Sequence, residues 1–195
     1  MPEKGRQSCF PHSLPRNLPS SRQGAANVIE LHGESSVSHE SMVAAINELA
    51  ETPVRLRGLV AGTDVAKLRI KPNAGLFSPL ENIWHLFDIE REGYLVRIRR
   101  ILTEELPILE NLDGDRMAID RRYNELDLHV AIEGFAASRS ESLGLLQGLP
   151  AHAWMRRAEF ENRVIDLKTL IDTMVEHDQG HLLSIQGVIV SSVAA

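Results

Sequence analysis

Apolar residues recur at the three- and four-residue spacing of an α-helix in four long segments of the chain. No segment alternates with a period of two over the length of a β-strand. The four predicted helices are, in order, residues 38–60, 78–103, about 125–147 and the chain after residue 165. Pro53 is expected to break the first helix, because proline has no N–H to donate. Together the segments predict an all-α fold, with a four-helix bundle as the architecture.

The second helix has the clearest start. Ser78 is a good N-cap, Pro79 suits the first helical position, and Glu81 stands where a capping box places its acid. The preceding connector, 61–77, is expected to hold one short helical turn at residues 64–68. Residues 104–124 show no sustained period, so they predict a long loop that crosses the domain.

Residues 1–36 are rich in Pro, Ser and Gly and carry little apolar surface. They are predicted to form a flexible N-terminal extension that the bundle does not need, and residues 37–195 are predicted to form the bundle domain. The sequence leaves open whether the extension packs across a second copy in a homodimer.

Charge and composition exclude several classes of function and of site. With 21 Lys plus Arg against 27 Asp plus Glu the formal charge is -6, which argues against nucleic-acid binding. Cys9 is the only cysteine, so an intrachain disulfide and a cysteine-based zinc cluster are excluded. No apolar run reaches the roughly 18 residues that span a membrane, and no signal-peptide core follows Met1. The expected location is the cytoplasm, with a small molecule as the partner.

Two histidines of the fourth helix, His177 and His181, are four residues apart and therefore share one face. Chance alone would give on the order of 0.3 such pairs among eight histidines in 195 residues, so the spacing is weak evidence. Both positions continue the apolar stripe of Met174 and Ile185. The pair is equally compatible with buried histidines bonded to backbone and water and with two ligands of one metal ion.

The position of His85 favours the interpretation of the pair as metal ligands. It lies near the start of the second helix between Trp84 and Phe87, in an otherwise apolar turn that a bundle can bring to the His177–His181 pair. Three histidines leave one coordination position open, as in catalytic metal sites.

The segment Leu76–Glu90 resembles the signature WS-x-x-E-x-x-x-H-L-x-D-x-E of the DinB-like (YfiT-like) metalloenzyme superfamily, with Phe77 in place of the Trp. Residues 169–181 resemble the closing helix of that superfamily, and the likeness covers about residues 40–190. The resemblance implies a four-helix bundle in which His85, His177 and His181 hold one divalent metal, commonly zinc or nickel. It also implies, as in characterised members, a low-molecular-weight thiol as cosubstrate.

Three other polar residues each have more than one possible role or position. Glu81 is either a carboxylate that orients His85 or acts as a base, or only the capping-box partner. Arg139 falls on the inward side of the third helix, where it binds an anionic substrate or, as we favour, pairs with an acid of the 104–124 loop. Asp178 projects about 100° away from His177 and is expected at the surface or behind the ligands.

Two functional hypotheses follow. The first is a metal-dependent transferase or hydrolase, in which a thiol or water becomes the nucleophile. The alternative is a non-catalytic stress protein that binds metal or a small ligand. A zinc peptidase is a minor reading, because Asp178 stands where the H-E-x-x-H motif has its glutamate. No role is assigned to the other five histidines: His12, His32 and His39 lie in or near the N-terminal extension, and His129 and His152 have no partner at ligand spacing.

Overall fold

The computed structural model describes residues 39–193. The predicted extension, residues 1–36, lies outside them. Four helical units form the bundle: α1 (His39–Val60), the unit α3 (Pro79–Asp88) with a π-helical segment (Ile89–Tyr94) and α4 (Leu95–Thr103), α6 (Leu128–Leu146) and α8 (Leu167–Val193). The prediction of a four-helix bundle is confirmed.

The first helix is continuous, so the break expected at Pro53 was wrong. Proline at that position cannot donate to the carbonyl of Leu49, which would lose its helical partner. Instead, the Arg139 Nη1 group of α6 donates to the Leu49 carbonyl oxygen at 3.0 Å. A side chain from a neighbouring helix therefore satisfies the backbone group that the proline leaves free.

Helices α1 and α3 each lie between α6 and α8, so α1 is diagonal to α3 and α6 is diagonal to α8. Trp84 reaches Asp127 and Phe87 reaches Gly134, which shows that α3 and α6 run parallel. Asn82 contacts His181 and Tyr94 contacts His177, so α3 and its π-helical continuation run antiparallel to α8. The parallel neighbours α3 and α6 require a connection that returns along the bundle.

That connection is not the structureless loop predicted at 104–124. It contains β1 (Ile108–Leu109), α5 (Gly114–Asp120) and a 3₁₀ turn (Tyr123–Glu125). Asp113 is the N-cap of α5, and its side chain accepts from the Arg116 N–H. Seven residues make only two helical turns, which is too short for a visible apolar period. The one-turn helix predicted at 64–68 is confirmed as α2 (Val65–Leu68), with Asp64 as its N-cap.

The connector 148–165 also contains regular structure: α7 (Ala151–Trp154), β2 (Arg157–Phe160) and β3 (Arg163–Asp166). The sheet has the order β1–β2–β3, with β1 parallel to β2 and β2 antiparallel to β3. In the hairpin turn Glu161 and Asn162 have φ of 49° and 61°, the left-handed pair of a two-residue turn. Strands of two to four residues are too short to show an alternating pattern.

Two apolar clusters fill the bundle. One contains Leu49, Tyr94 and Met174, and the other contains Leu56, Phe87 and Ile185. Buried polar residues from α3, the π-helical segment, α6 and α8 lie between them. The candidate site is built from this polar layer.

Candidate metal centre

The start of α3 is formed as its sequence predicts. Ser78 Oγ accepts from the Glu81 N–H at 3.1 Å, and the Ser78 N–H donates to Glu81 Oε2 at 2.8 Å. These reciprocal bonds are a complete capping box, with Pro79 at the first helical position. The cap fixes where the helix begins and therefore which side of α3 carries Asn82 and His85.

The three predicted ligands, His85, His177 and His181, lie together in the bundle, and their ligand atoms are within 4.8 Å of one another. His85 Nε2 is 3.1 Å from His177 Nε2. The ring centroid of His181 lies 4.6 Å from that of His85 and 4.5 Å from that of His177. Phe77, in the place of the signature Trp, packs its ring 5.5 Å from the ring of His85.

This arrangement fits a divalent metal ion. Two nitrogens that bind one Zn²⁺ at about 2.0–2.1 Å in a tetrahedral set lie roughly 3.3 Å apart. The Nε2 atoms of His85 and His177 are at nearly that separation. A direct hydrogen bond satisfies this pair of nitrogens only if one of them is protonated, whereas a cation accepts a lone pair from both. Imidazole is a favourable ligand for zinc, nickel, copper and iron.

Burial keeps the imidazoles of His85 and His181 neutral. Burial, together with the neighbouring His181 and His177, lowers the pKa of His85 well below its ordinary value. Burial and His177 lower the pKa of His181 to about 3, although Asp178 acts in the opposite direction. Both imidazoles are therefore neutral at physiological pH and have a lone pair available for a cation.

Behind the histidines, Arg139 is only 1% exposed and binds two carboxylates. Its Nη1 donates to Asp178 Oδ2 at 2.7 Å and its Nη2 to Glu90 Oε2 at 2.9 Å. Ser142 donates to the other oxygen of Glu90 at 2.6 Å. The inward position predicted for Arg139 is therefore correct, but its acids come from the π-helical segment and α8 and not from the 104–124 loop.

Asp178 is buried and lies behind the ligand set. Of the two positions expected for it, the one at the surface was wrong. Its Oδ1 is 3.8 Å from His177 Nδ1. Burial alone raises the pKa of Asp178, but the charge of Arg139 and the contacts with His177 bring it to about 2. The carboxylate stays ionised and neutralises part of the buried guanidinium charge.

Glu81 has partners for both carboxylate oxygens: the Ser78 N–H on Oε2 and Lys71 Nζ at 2.8 Å on Oε1. His85 Nδ1, the other nitrogen of the ring, has no hydrogen-bond partner among the residues that the structure describes. Glu81 therefore caps α3 and does not hydrogen-bond His85. Its action as a base stays a prediction, as does contact of Arg139 with a substrate.

Asn82 was not among the predicted site residues. It is 3% exposed and its Oδ1 lies 2.7 Å from His181 Nδ1. Its position three residues before His85, on the same side of α3, is the only sequence signal that points to it. That spacing alone does not distinguish Asn82 from other polar residues of α3.

A pocket of about 700 Å³ opens beside His181 and Asn82. The segment between α2 and α3 contributes Ile70, Lys71 and Phe77 to its lining, and α8 contributes Ser184 and Val188. Such a volume holds a small molecule with an apolar body.

His129 and His152 are exposed, and neither joins a ligand cluster within residues 40–191.

A helical bundle with three converging imidazoles beside a pocket defines the class: a four-helix-bundle protein with a candidate three-histidine metal centre. Residues 48–185 match the DinB superfamily, and the chain belongs to it. The fold is similar to that of YfiT from Bacillus subtilis, described as a probable metal-dependent hydrolase with an unusual four-helix bundle topology. That match has a TM-score of 0.74 and 21% sequence identity, and covers 79% of this chain and 89% of YfiT. No curated protein sequence gives a significant match.

No helix among residues 39–193 is long and apolar enough to cross a membrane.

Proposed function

We propose that the protein is a metal-dependent enzyme that acts on a small molecule, with His85, His177 and His181 as the ligands of one divalent ion. The observation that carries the proposal is the convergence of three imidazoles on one point at the wall of an open pocket. Zinc and nickel are the proposed ions, because imidazole is a favourable ligand for both and the resemblance to the DinB-like superfamily implies them.

The chain supplies orientation and a dry environment. The two apolar clusters enclose His85 and His177 from both ends of the bundle. Of the three histidines, His181 is the one that lines the pocket. A substrate in the pocket therefore meets the ligand set from the side of His181 and Asn82. His85, His177 and His181 would hold the divalent ion, which would supply a Lewis acid able to lower the pKa of a water or a thiol.

Hydrolysis is the reaction that we place first. The similar fold of YfiT, which is described as a probable metal-dependent hydrolase, supports it. Transfer to a low-molecular-weight thiol is the second candidate, supported by the open pocket of about 700 Å³, which has room for a cosubstrate beside the substrate. In both cases Arg139 and Glu81 keep their charged atoms on other protein groups, so we place neither in contact with the substrate, and a catalytic role for either stays a prediction.

The test compares Zn²⁺- and Ni²⁺-loaded protein with chelator-treated protein on activated esters and amides, and on electrophiles with added thiols. We expect saturable turnover that chelation removes and added metal restores. Tight metal or ligand binding without turnover on any substrate class would instead support the non-catalytic binding protein.

A pocket variant separates substrate binding from metal binding. Ser184→Phe fills part of the pocket wall, so we expect a higher KM with unchanged metal content. The exposed Ser140 on α6 does not line the pocket, and Ser140→Phe is the matched control. Equal KM values for the two variants would place the substrate elsewhere.

A further inference from the structure

The hydrogen bond between Asn82 and His181 has a direction that the surrounding groups determine. Asn82 Nδ2 lies 2.9 Å from the Ser78 carbonyl oxygen and 3.4 Å from the Phe77 carbonyl oxygen. Carbonyl oxygens only accept, so the amide nitrogen must face them and the amide oxygen must face α8. The Asn82 amide therefore has one orientation that satisfies all its contacts.

The tautomer of His181 follows from that orientation. Asn82 Oδ1 cannot donate, so at 2.7 Å His181 Nδ1 must carry the proton. A neutral imidazole has one ring proton, and its other nitrogen then has a free lone pair. Because Nδ1 of His181 is protonated, Nε2 is the atom left to bind a cation.

His181 is also the ring that most needs such a partner. His85 and His177 are buried in the bundle, and Nδ1 of each has no hydrogen-bond partner within the described part of the chain. Packing holds those two rings. His181 is half-buried and borders the pocket, where water and substrate have access to it.

We propose that Asn82 is a positioning residue that holds His181 as the Nδ1–H tautomer and thereby directs its Nε2 lone pair toward the metal. The assignment rests on the proposed function for the metal and on the described contacts for the hydrogen bond. Asn82 also links the capped start of α3 to α8, so the orientation of one ligand depends on the N-terminus of the helix that carries another. In this proposal Asn82 acts on the metal through its hydrogen bond to His181.

Two variants isolate the acceptor. Asn82→Leu and Asn82→Asp both lose the donor to the Ser78 and Phe77 carbonyls, but only aspartate keeps an oxygen that accepts from His181 Nδ1. We expect Asn82→Leu to lower Zn²⁺ affinity about 10–100-fold, as loss of a hydrogen-bond partner behind a metal-bound histidine does. We expect Asn82→Asp to bind Zn²⁺ within about threefold of the parent or more tightly. Competition with a chromophoric chelator measures the affinities, and circular dichroism checks that both variants are folded.

A second readout needs neither metal nor substitution. Long-range ¹H–¹⁵N correlation spectra of metal-free protein at pH 7 report which nitrogen of each histidine is protonated, and we expect Nδ1–H for His181. A protonated Nε2 on His181 would overturn the inference, as would equal loss of affinity in the two variants. If the parent binds no Zn²⁺ while His181 is the Nδ1–H tautomer, the metal function fails and the hydrogen bond stands.

Discussion

Replacing Arg139 with methionine removes the cation that lies between two buried carboxylates. In the parent protein Arg139 donates to Asp178 at 2.7 Å, to Glu90 at 2.9 Å and to the Leu49 carbonyl at 3.0 Å. Methionine fills a similar space but donates to none of them. Ser142 remains as a donor to Glu90, and Asp178 loses its guanidinium partner.

The expected cost is large. Removing one member of a buried ion pair costs about 3–5 kcal/mol, because the remaining charge stays buried without a counter-ion. A domain of ordinary stability unfolds at about 5–15 kcal/mol, so Arg139→Met is expected to lose a substantial part of the free energy of unfolding. The triple variant Arg139→Met, Glu90→Gln, Asp178→Asn leaves no charge at the three positions of this buried ion-pair cluster. We expect it to recover most of the loss.

Urea unfolding at pH 7 with a chelator present measures the cost without a contribution from bound metal. Arg57→Met is the matched control, since Arg57 also joins α1 to α6 but its pair with Glu133 is about half exposed. That control is expected to change stability by no more than about 1 kcal/mol. A loss below 1 kcal/mol for Arg139→Met, or no recovery in the triple variant, would refute the reasoning.

Three further predictions concern packing, the third ligand and the extension. Gly134→Ala places a Cβ 2.4 Å from the ring of Phe87 and should lower the free energy of unfolding by about 1–3 kcal/mol. Gly144→Ala on the same helix meets no atom within 4 Å and should raise it by about 0.5–1 kcal/mol, and equal urea midpoints would contradict the close approach. His85→Ala should leave the far-UV circular dichroism unchanged but weaken Zn²⁺ binding by more than tenfold, and unchanged affinity would place the third ligand elsewhere. A chain without residues 1–36 should keep the bundle and its metal, and precipitation or loss of metal would show that the extension is packed.

Local signals in the sequence predicted the parts of the site that depend on one helix. The capping box at Ser78 and Glu81 is formed by residues three apart, and the His177–His181 pair by residues four apart, so neither requires knowledge of the fold. Apolar spacing also placed Arg139 correctly on the inward face of α6. The approach of His85 to that pair depends on α3 lying next to α8, which the resemblance implied and helical spacing does not determine.

The remaining features depend on contacts between helices. The π-helical segment places Glu90 in the polar layer, where Arg139 and Ser142 satisfy its carboxylate. The sequence of one helix does not show that side chains of another helix will satisfy a buried carboxylate. It likewise does not show that Arg139 will satisfy the carbonyl that Pro53 leaves free and so let α1 continue. The short strands β1, β2 and β3 form because a neighbouring strand pairs with them, and their own residues do not alternate over a sufficient length.

Metal content tests the three-histidine centre most directly. Protein purified without added metal, analysed by inductively coupled plasma mass spectrometry, is expected to contain one equivalent of a divalent metal per chain. The variants His177→Ala and His181→Ala are expected to contain almost none, while the exposed control His129→Ala keeps the parent content. Unchanged metal content in the first two variants, or a parent protein that binds no metal even on titration, would contradict the assignment of His85, His177 and His181 as ligands.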